Sequence, residues 1–162
     1  MSEALISDIG LLRDKNQDYI TKAINTNNDI LYILCDGMGG YKGGEVASCK
    51  SASILKKYFE KTSFVDANEA KEWLTNTIEQ VNAEIKDLAT HNSELSKMGT
   101  TLICLLITKD YKMFASVGDS RLYSYSKKEL KQISEDQTFV NALLKAGYID
   151  KKEAEIHPNK AY

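Results

Sequence analysis

The run Ile30-Leu31-Tyr32-Ile33-Leu34-Cys35 constrains the fold more than any other stretch of the chain. It is short, almost continuously apolar and bounded by turn signals, so it reads as a buried strand. Asp36 closes it, and Gly37, Gly39, Gly40, Gly43 and Gly44 follow at once. Glycines this dense read as a loop rather than a regular element. A strand therefore carries a carboxylate to its own end and releases the chain into a glycine-rich turn. A carboxylate there suits a hard divalent cation, which prefers oxygen ligands, and the next glycine offers its carbonyl. By itself the decapeptide Leu31–Gly40 fits an exposed turn equally well.

The neighbouring patterns set this strand in a layered domain. Leu5–Ile9 and Asp18–Ile24 read as strands, and Asn27-Asn28-Asp29 is a turn signal. Ala47, Ser51, Ile54, Leu55, Tyr58 and Phe59 recur at helical spacing and predict a helix over 45–60. Asp66 and Glu69 form the signature of a capping box. Behind it runs an apolar stripe with Ala70, Trp73, Leu74, Val81 and Ile85 that belongs to the core. Thr100–Ile107 is apolar on both faces, and Tyr111–Val117 alternates. Arg121–Ser126 and Leu130–Ile133 are further short strands. Phe139–Leu144 is helical and stopped by Gly147, and Asp150 with Glu153 caps a last helix ending near Pro158. Strands, two helices, strands and small helices in that order predict a mixed α+β domain rather than a βαβ alternation.

Composition narrows the chemistry. The 162 residues fit a single domain over 1–162, with 43% apolar and 27% charged residues. A net charge of −2 argues against nucleic acid as partner. No apolar run approaches the ~18 residues of a membrane helix. Met1-Ser2-Glu3-Ala4 lacks the features of a signal peptide. The three cysteines are odd in number and widely spaced, which fits a reduced, cytoplasmic protein; Cys35 reads as a small apolar residue of the sheet. His91, His157 and the cysteines show no zinc spacing. Lys42 is followed by Gly43, which excludes a nucleotide phosphate loop, and it stands where a dinucleotide fingerprint needs glycine.

Two more segments add to the first. Ser7–Asp18 places Arg13 five residues ahead of a carboxylate, and Val117-Gly118-Asp119-Ser120-Arg121 puts an aspartate in a tight turn. Arg121 is expected to pair structurally with neighbouring strands. Each segment is weak alone. Taken in order with Asp36-Gly37-Met38-Gly39-Gly40, Lys97-Met98-Gly99-Thr100-Thr101 and His157-Pro158, they resemble the metal-dependent serine/threonine protein phosphatase family (type 2C, PPM) in its bacterial form. The resemblance runs from about Ile6 to the last residue.

That resemblance implies an αββα sandwich, two antiparallel sheets flanked by helices. It implies hydrolysis of phosphoserine and phosphothreonine by a hydroxide bridging two Mn2+ or Mg2+ ions, with no covalent enzyme intermediate. Matched motif by motif, Asp36 bridges the metals, the Gly37 carbonyl binds one of them, and Asp18 holds water on the cluster or binds it directly. Arg13 grips the substrate phosphate, where a planar guanidinium suits two oxygens. Asp119 matches a third, weaker metal position, with a simple turn role as its alternative. Residues 136–157 match a flap segment beside the cleft that tunes substrate choice. Substrates would be the targets of a bacterial serine/threonine kinase.

The sequence also departs from the family. Met38 stands where many eukaryotic members carry a histidine proton donor, so water on the metals would supply that proton. Gln17 replaces a frequent glutamate. Members continue well past His-Pro, with further strands and two more metal-binding aspartates. The expectation is therefore the N-terminal two-thirds of a domain, inactive or weakly active alone, with open edges that two copies could cover by dimerising or exchanging elements. The alternative is a non-catalytic regulatory or partner-binding module without a complete metal centre.

Overall fold

The computed structural model describes residues 2–158. The chain divides into two compact units, one up to Ala115 and one from Ser116.

The first unit is built on an antiparallel hairpin. β1 (Asp18–Ile24) pairs with β2 (Ile30–Met38) in a register that runs from Asp18 opposite Asp36 to Ile24 opposite Ile30. The turn between them is closed by Asn25, whose side-chain oxygen accepts the amides of Asn27 and Asp29 at 3.0 and 2.9 Å. On its other side β2 pairs with the short β3 (Gly99–Thr100) and with β4 (Leu102–Ile107). β5 (Lys112–Val117) completes the order β1-β2-β4-β5. Two helices follow β2 in the chain, α1 (Gly40–Phe59) and α2 (Ala67–His91), and a 3-10 turn at Ser93–Leu95 leads back to β3.

Period-two alternation decides which face of the sheet is the core. Leu31, Ile33 and Cys35 of β2 are fully buried, and they cluster with Ala23, Leu102, Cys104 and Leu106 from the flanking strands. Ala47, Leu55 and Phe59 of α1 and Ala70, Leu74, Val81 and Ile85 of α2 close the cluster from above. Each buried Leu or Phe contributes roughly 1.5–3 kcal/mol. Trp73 stands 5.7 Å from Phe59 and 5.5 Å from Phe64, so the stripe on α2 is core as expected. The opposite face of β2 carries Leu34, Asp36 and Met38, all exposed. β2 is therefore buried on one face only, whereas β4 is largely covered on both.

Three expectations are corrected. Leu5–Ile9 is not a strand: it runs as irregular chain, anchored by the Glu3 carboxylate accepting from Lys22 and Tyr32, which are cross-strand partners on β1 and β2. The helix expected from Glu45 begins at Gly40, so Gly43 and Gly44 are helical rather than loop. Their physical reason is proximity. A Cβ on Gly43 would sit 3.0 Å from the Met98 Cβ, and one on Gly44 would sit 2.7 Å from both the carbon and oxygen of the Gly37 carbonyl. The strand expected over Thr100–Ile107 is broken at Thr101, whose amide turns to the Asp36 carbonyl at 2.9 Å.

The second unit holds a two-stranded sheet of β6 (Tyr123–Ser126) and β7 (Glu129–Gln132), with Lys127 and Lys128 at positive φ between them. Helices α3 (Phe139–Lys145) and α4 (Lys151–Ile156) follow. Gly147, at φ 76°, ends the first, and an Asp150–Glu153 capping box opens the second, as read from the sequence. Arg121 does pair structurally: it forks onto both Asp136 carboxylate oxygens at 2.6–3.0 Å. The α+β class and the antiparallel sheets with helices agree with expectation. No helix among the described residues is long and apolar enough to cross a membrane.

Candidate functional site

The site grows from the open end of the β1–β2 ladder. Because the register is Asp18 opposite Asp36, both residues lie on the outer face of the sheet, away from the core helices. Both are exposed. Two carboxylates directly opposite on neighbouring strands repel and destabilise the pair. A hard cation held by both carboxylates would offset that cost.

The backbone around Asp36 is tied down from the β3 side. Its amide donates to the Thr101 hydroxyl at 3.0 Å, and its carbonyl accepts the Thr101 amide and the Thr100 hydroxyl, each at 2.9 Å. The Gly37 amide donates to the Gln17 carbonyl at 3.1 Å, and the same carbonyl accepts the Ser48 hydroxyl of α1 at 2.6 Å. The Gly37 carbonyl group lies so close to Gly44 that only glycine fits at either position. At φ 121°, Gly39 turns the chain from β2 into α1. Three elements thus converge on Asp36-Gly37, and each approaches by backbone.

Arg13 is exposed in the loop before β1, and among the described residues it makes no ion pair. Asn16 organises that loop: its side-chain oxygen accepts the Asp18 amide at 2.9 Å, and its amide nitrogen donates to the Ser7 hydroxyl at 2.7 Å. Asp119 belongs to the second unit, exposed after Gly118, which has φ 92°. There the Gln137 amide donates to the Gly118 carbonyl at 2.8 Å and holds the turn. The structure thus brings Asp18, Asp36 and Gly37 together, while Arg13 stands five residues up the chain from Asp18.

Donor chemistry tests the fit to a metal. Asp18, Asp36 and the Gly37 carbonyl supply only hard oxygen donors, which suit Mg2+ or Mn2+ rather than a soft metal. Among the described residues no three His, Cys, Asp or Glu side chains gather as a metal cluster. The residues fit part of an oxygen-donor site rather than a closed cage. Cys35, one residue before Asp36, takes no part. Burial pushes its thiol up to about 12, against a smaller opposing hydrogen bond from Thr100, so it stays protonated and inert.

Ser7, Asn16, Ser48, Thr100 and Thr101 contribute to the site without having been read as site residues. Their sequence signal is faint. Ser7 and Asn16 lie inside the Ser7–Asp18 segment and the Thr-Thr pair inside another, but nothing in either pattern marks them, because their side chains act on backbone or on each other rather than on a ligand.

Residues 13–151 match the family described as Protein phosphatase 2C. The protein phosphatase PhpP of Streptococcus pneumoniae is 36% identical over 160 residues, which cover 99% of this chain and 65% of PhpP. The crystal structure of the serine/threonine phosphatase Stp1 from Staphylococcus aureus superposes with a TM-score of 0.85 at 40% identity, covering 96% of this chain and 61% of that one. The catalytic domain of the serine/threonine protein phosphatase PstP, in complex with 2 manganese ions, superposes with a TM-score of 0.74 at 34% identity over 92% of this chain and 61% of its own. The chain therefore spans a little under two-thirds of the length of these relatives. Since the matched span begins at Arg13 and takes in every strand of both units, the chain belongs to the protein phosphatase 2C family.

Proposed function

We propose that this chain carries the metal-facing and phosphate-facing part of a protein serine/threonine phosphatase that hydrolyses phosphoserine and phosphothreonine. The observation that carries the proposal is the Asp18–Asp36 register, two like charges placed opposite each other on an exposed sheet face. Divalent cations, Mn2+ or Mg2+, would supply a nucleophile from water at neutral pH and charge stabilisation at phosphorus. Asp36 and the Gly37 carbonyl would hold them, with Asp18 binding them directly or through water, and Asp119 would serve a third, weaker ion. The Arg13 guanidinium grips two phosphate oxygens and orients the ester for in-line attack. Met38 has no proton to give, so the leaving alcohol takes its proton from elsewhere than position 38.

The segment over 136–157 tunes substrate choice, and the substrates are phosphoproteins made by a serine/threonine kinase in the cytoplasm. The donor set gathered at Asp36 is partial, so the chain by itself is inactive or turns over weakly. Two copies would cover open sheet edges by dimerising or exchanging elements. The test is Mn2+-dependent hydrolysis of p-nitrophenyl phosphate by this chain and by any longer product containing it, beside the Asp36→Asn variant of each. Measurable hydrolysis that Asp36→Asn abolishes supports the reading; equal rates in wild type and variant refute it.

A further inference from the structure

The loop that carries Arg13 has no regular structure between Ser7 and Asp18 apart from turns. An arginine on such a loop samples many positions, and a phosphate that it must grip loses affinity for each one that is unproductive. The structure contains a device against this. Asn16 uses both ends of its amide. The Asp18 amide donates to its oxygen at 2.9 Å, which fixes which way the side chain faces. That orientation delivers its nitrogen to the Ser7 hydroxyl at 2.7 Å. The bond closes the chain into a ring from residue 7 to residue 16, and Arg13 lies inside the ring. At the far side the Gly10 amide donates to the Asp8 carboxylate at 2.7 Å, and Gly10 takes φ 72°, so the ring has a formed turn opposite its closure. Lys15 adds a loose pair with Glu45 of α1 at 3.9 Å.

We propose that Asn16 is a positioning residue: through its clasp on Ser7 it holds Arg13 at the substrate phosphate, and through its cap on Asp18 it ties that grip to the metal-facing carboxylate. The inference rests on the proposed reading of Arg13 as the phosphate grip. The two ends of Asn16 act separately. Removing the Ser7 hydroxyl opens the ring and leaves the Asp18 cap intact. Removing the Asn16 side chain loses both.

The experiment measures binding of inorganic phosphate by calorimetry in saturating Mn2+, together with KM and kcat for p-nitrophenyl phosphate. Ser7→Ala is expected to weaken phosphate 3- to 10-fold and raise KM by the same factor, with kcat and Mn2+ affinity unchanged. Ser7→Thr, which keeps the hydroxyl, restores wild-type phosphate affinity. Asn16→Ala weakens both phosphate and Mn2+. Adding Ser7→Ala to Arg13→Ala produces no further loss of phosphate affinity. Wild-type phosphate binding by Ser7→Ala, with Arg13→Ala weakened, overturns the clasp and leaves the reading of Arg13 standing. Equal weakening by Ser7→Thr and Ser7→Ala also overturns it. If Arg13→Ala binds phosphate like wild type, or wild type binds none, the reading of Arg13 falls and the clasp with it.

Discussion

Asp18 and Asp36 face each other across the β1–β2 ladder on its solvent face, one at the first residue of β1 and the other near the end of β2. The hairpin register thus places both carboxylate-bearing residues at one end of the sheet, next to the glycine turn into α1.

Gly44 meets Gly37 by backbone. Gly44→Ala places its methyl 2.7 Å from the Gly37 carbonyl, and neither α1 nor β2 can yield without disturbing the other. Overpacking of this kind costs typically about 1–3 kcal/mol. Urea unfolding is expected to show a lowered midpoint at an unchanged slope. A wild-type midpoint would mean that α1 can slide away from the strand end.

Arg121 and Asp136 clamp the second unit. The guanidinium fork holds the Asp136 carboxyl below its ordinary range, with Gln132 adding a bond and partial burial opposing. A carboxylate depressed in this way contributes stability that is present above its unfolded pKa and lost as pH falls through the lower folded one. Arg121 is half exposed, so solvent screens the pair and keeps the contribution small. The protection of the Ile133 amide, which donates to the Leu122 carbonyl at 2.8 Å, relative to the intrinsic exchange rate at each pH, is expected to fall below about pH 4 in wild type. In Asp136→Asn that protection should be low at every pH. Protection independent of pH in both would remove the clamp from the account.

The three thiols separate by burial. Desolvation raises Cys35 to about 12 and pushes Cys104 up as well, while Cys49 on α1 is half-buried. A thiol-specific disulfide reagent at pH 8 is expected to modify one cysteine of the native chain, Cys49, and the other two only after unfolding. Prompt release of three equivalents would contradict the packed core around β2.

Much of this was legible in the residues. Alternation and helical spacing located β1, both long helices and the Asp150 cap, because those elements follow local rules that tertiary contacts here reinforce. The glycine cluster was misread because glycine signals either a free turn or a close approach. Only the neighbour, the Gly37 carbonyl against Gly44, tells which applies. Leu5–Ile9 was misread because apolar residues alone do not make a strand without a partner ladder. At the site, Asp36 and Gly37 stand out in the residues themselves, as a strand-end carboxylate followed by glycine, whereas Asp18 is read through the family pattern; the register sets the two aspartates opposite each other. Asn16 and Thr101 were invisible because their work is done on backbone amides distant in the pattern or hidden by a two-residue offset.

The most direct test of the central claim is thermal unfolding with and without Mn2+, in wild type and Asp36→Asn. A cation present at 100 times its dissociation constant stabilises the folded state by about 2.7 kcal/mol. The account predicts a melting temperature that rises several degrees with Mn2+ in wild type and stays where it is in Asp36→Asn. An equal rise in both would mean that the cation sits elsewhere and that the facing carboxylates are not its seat.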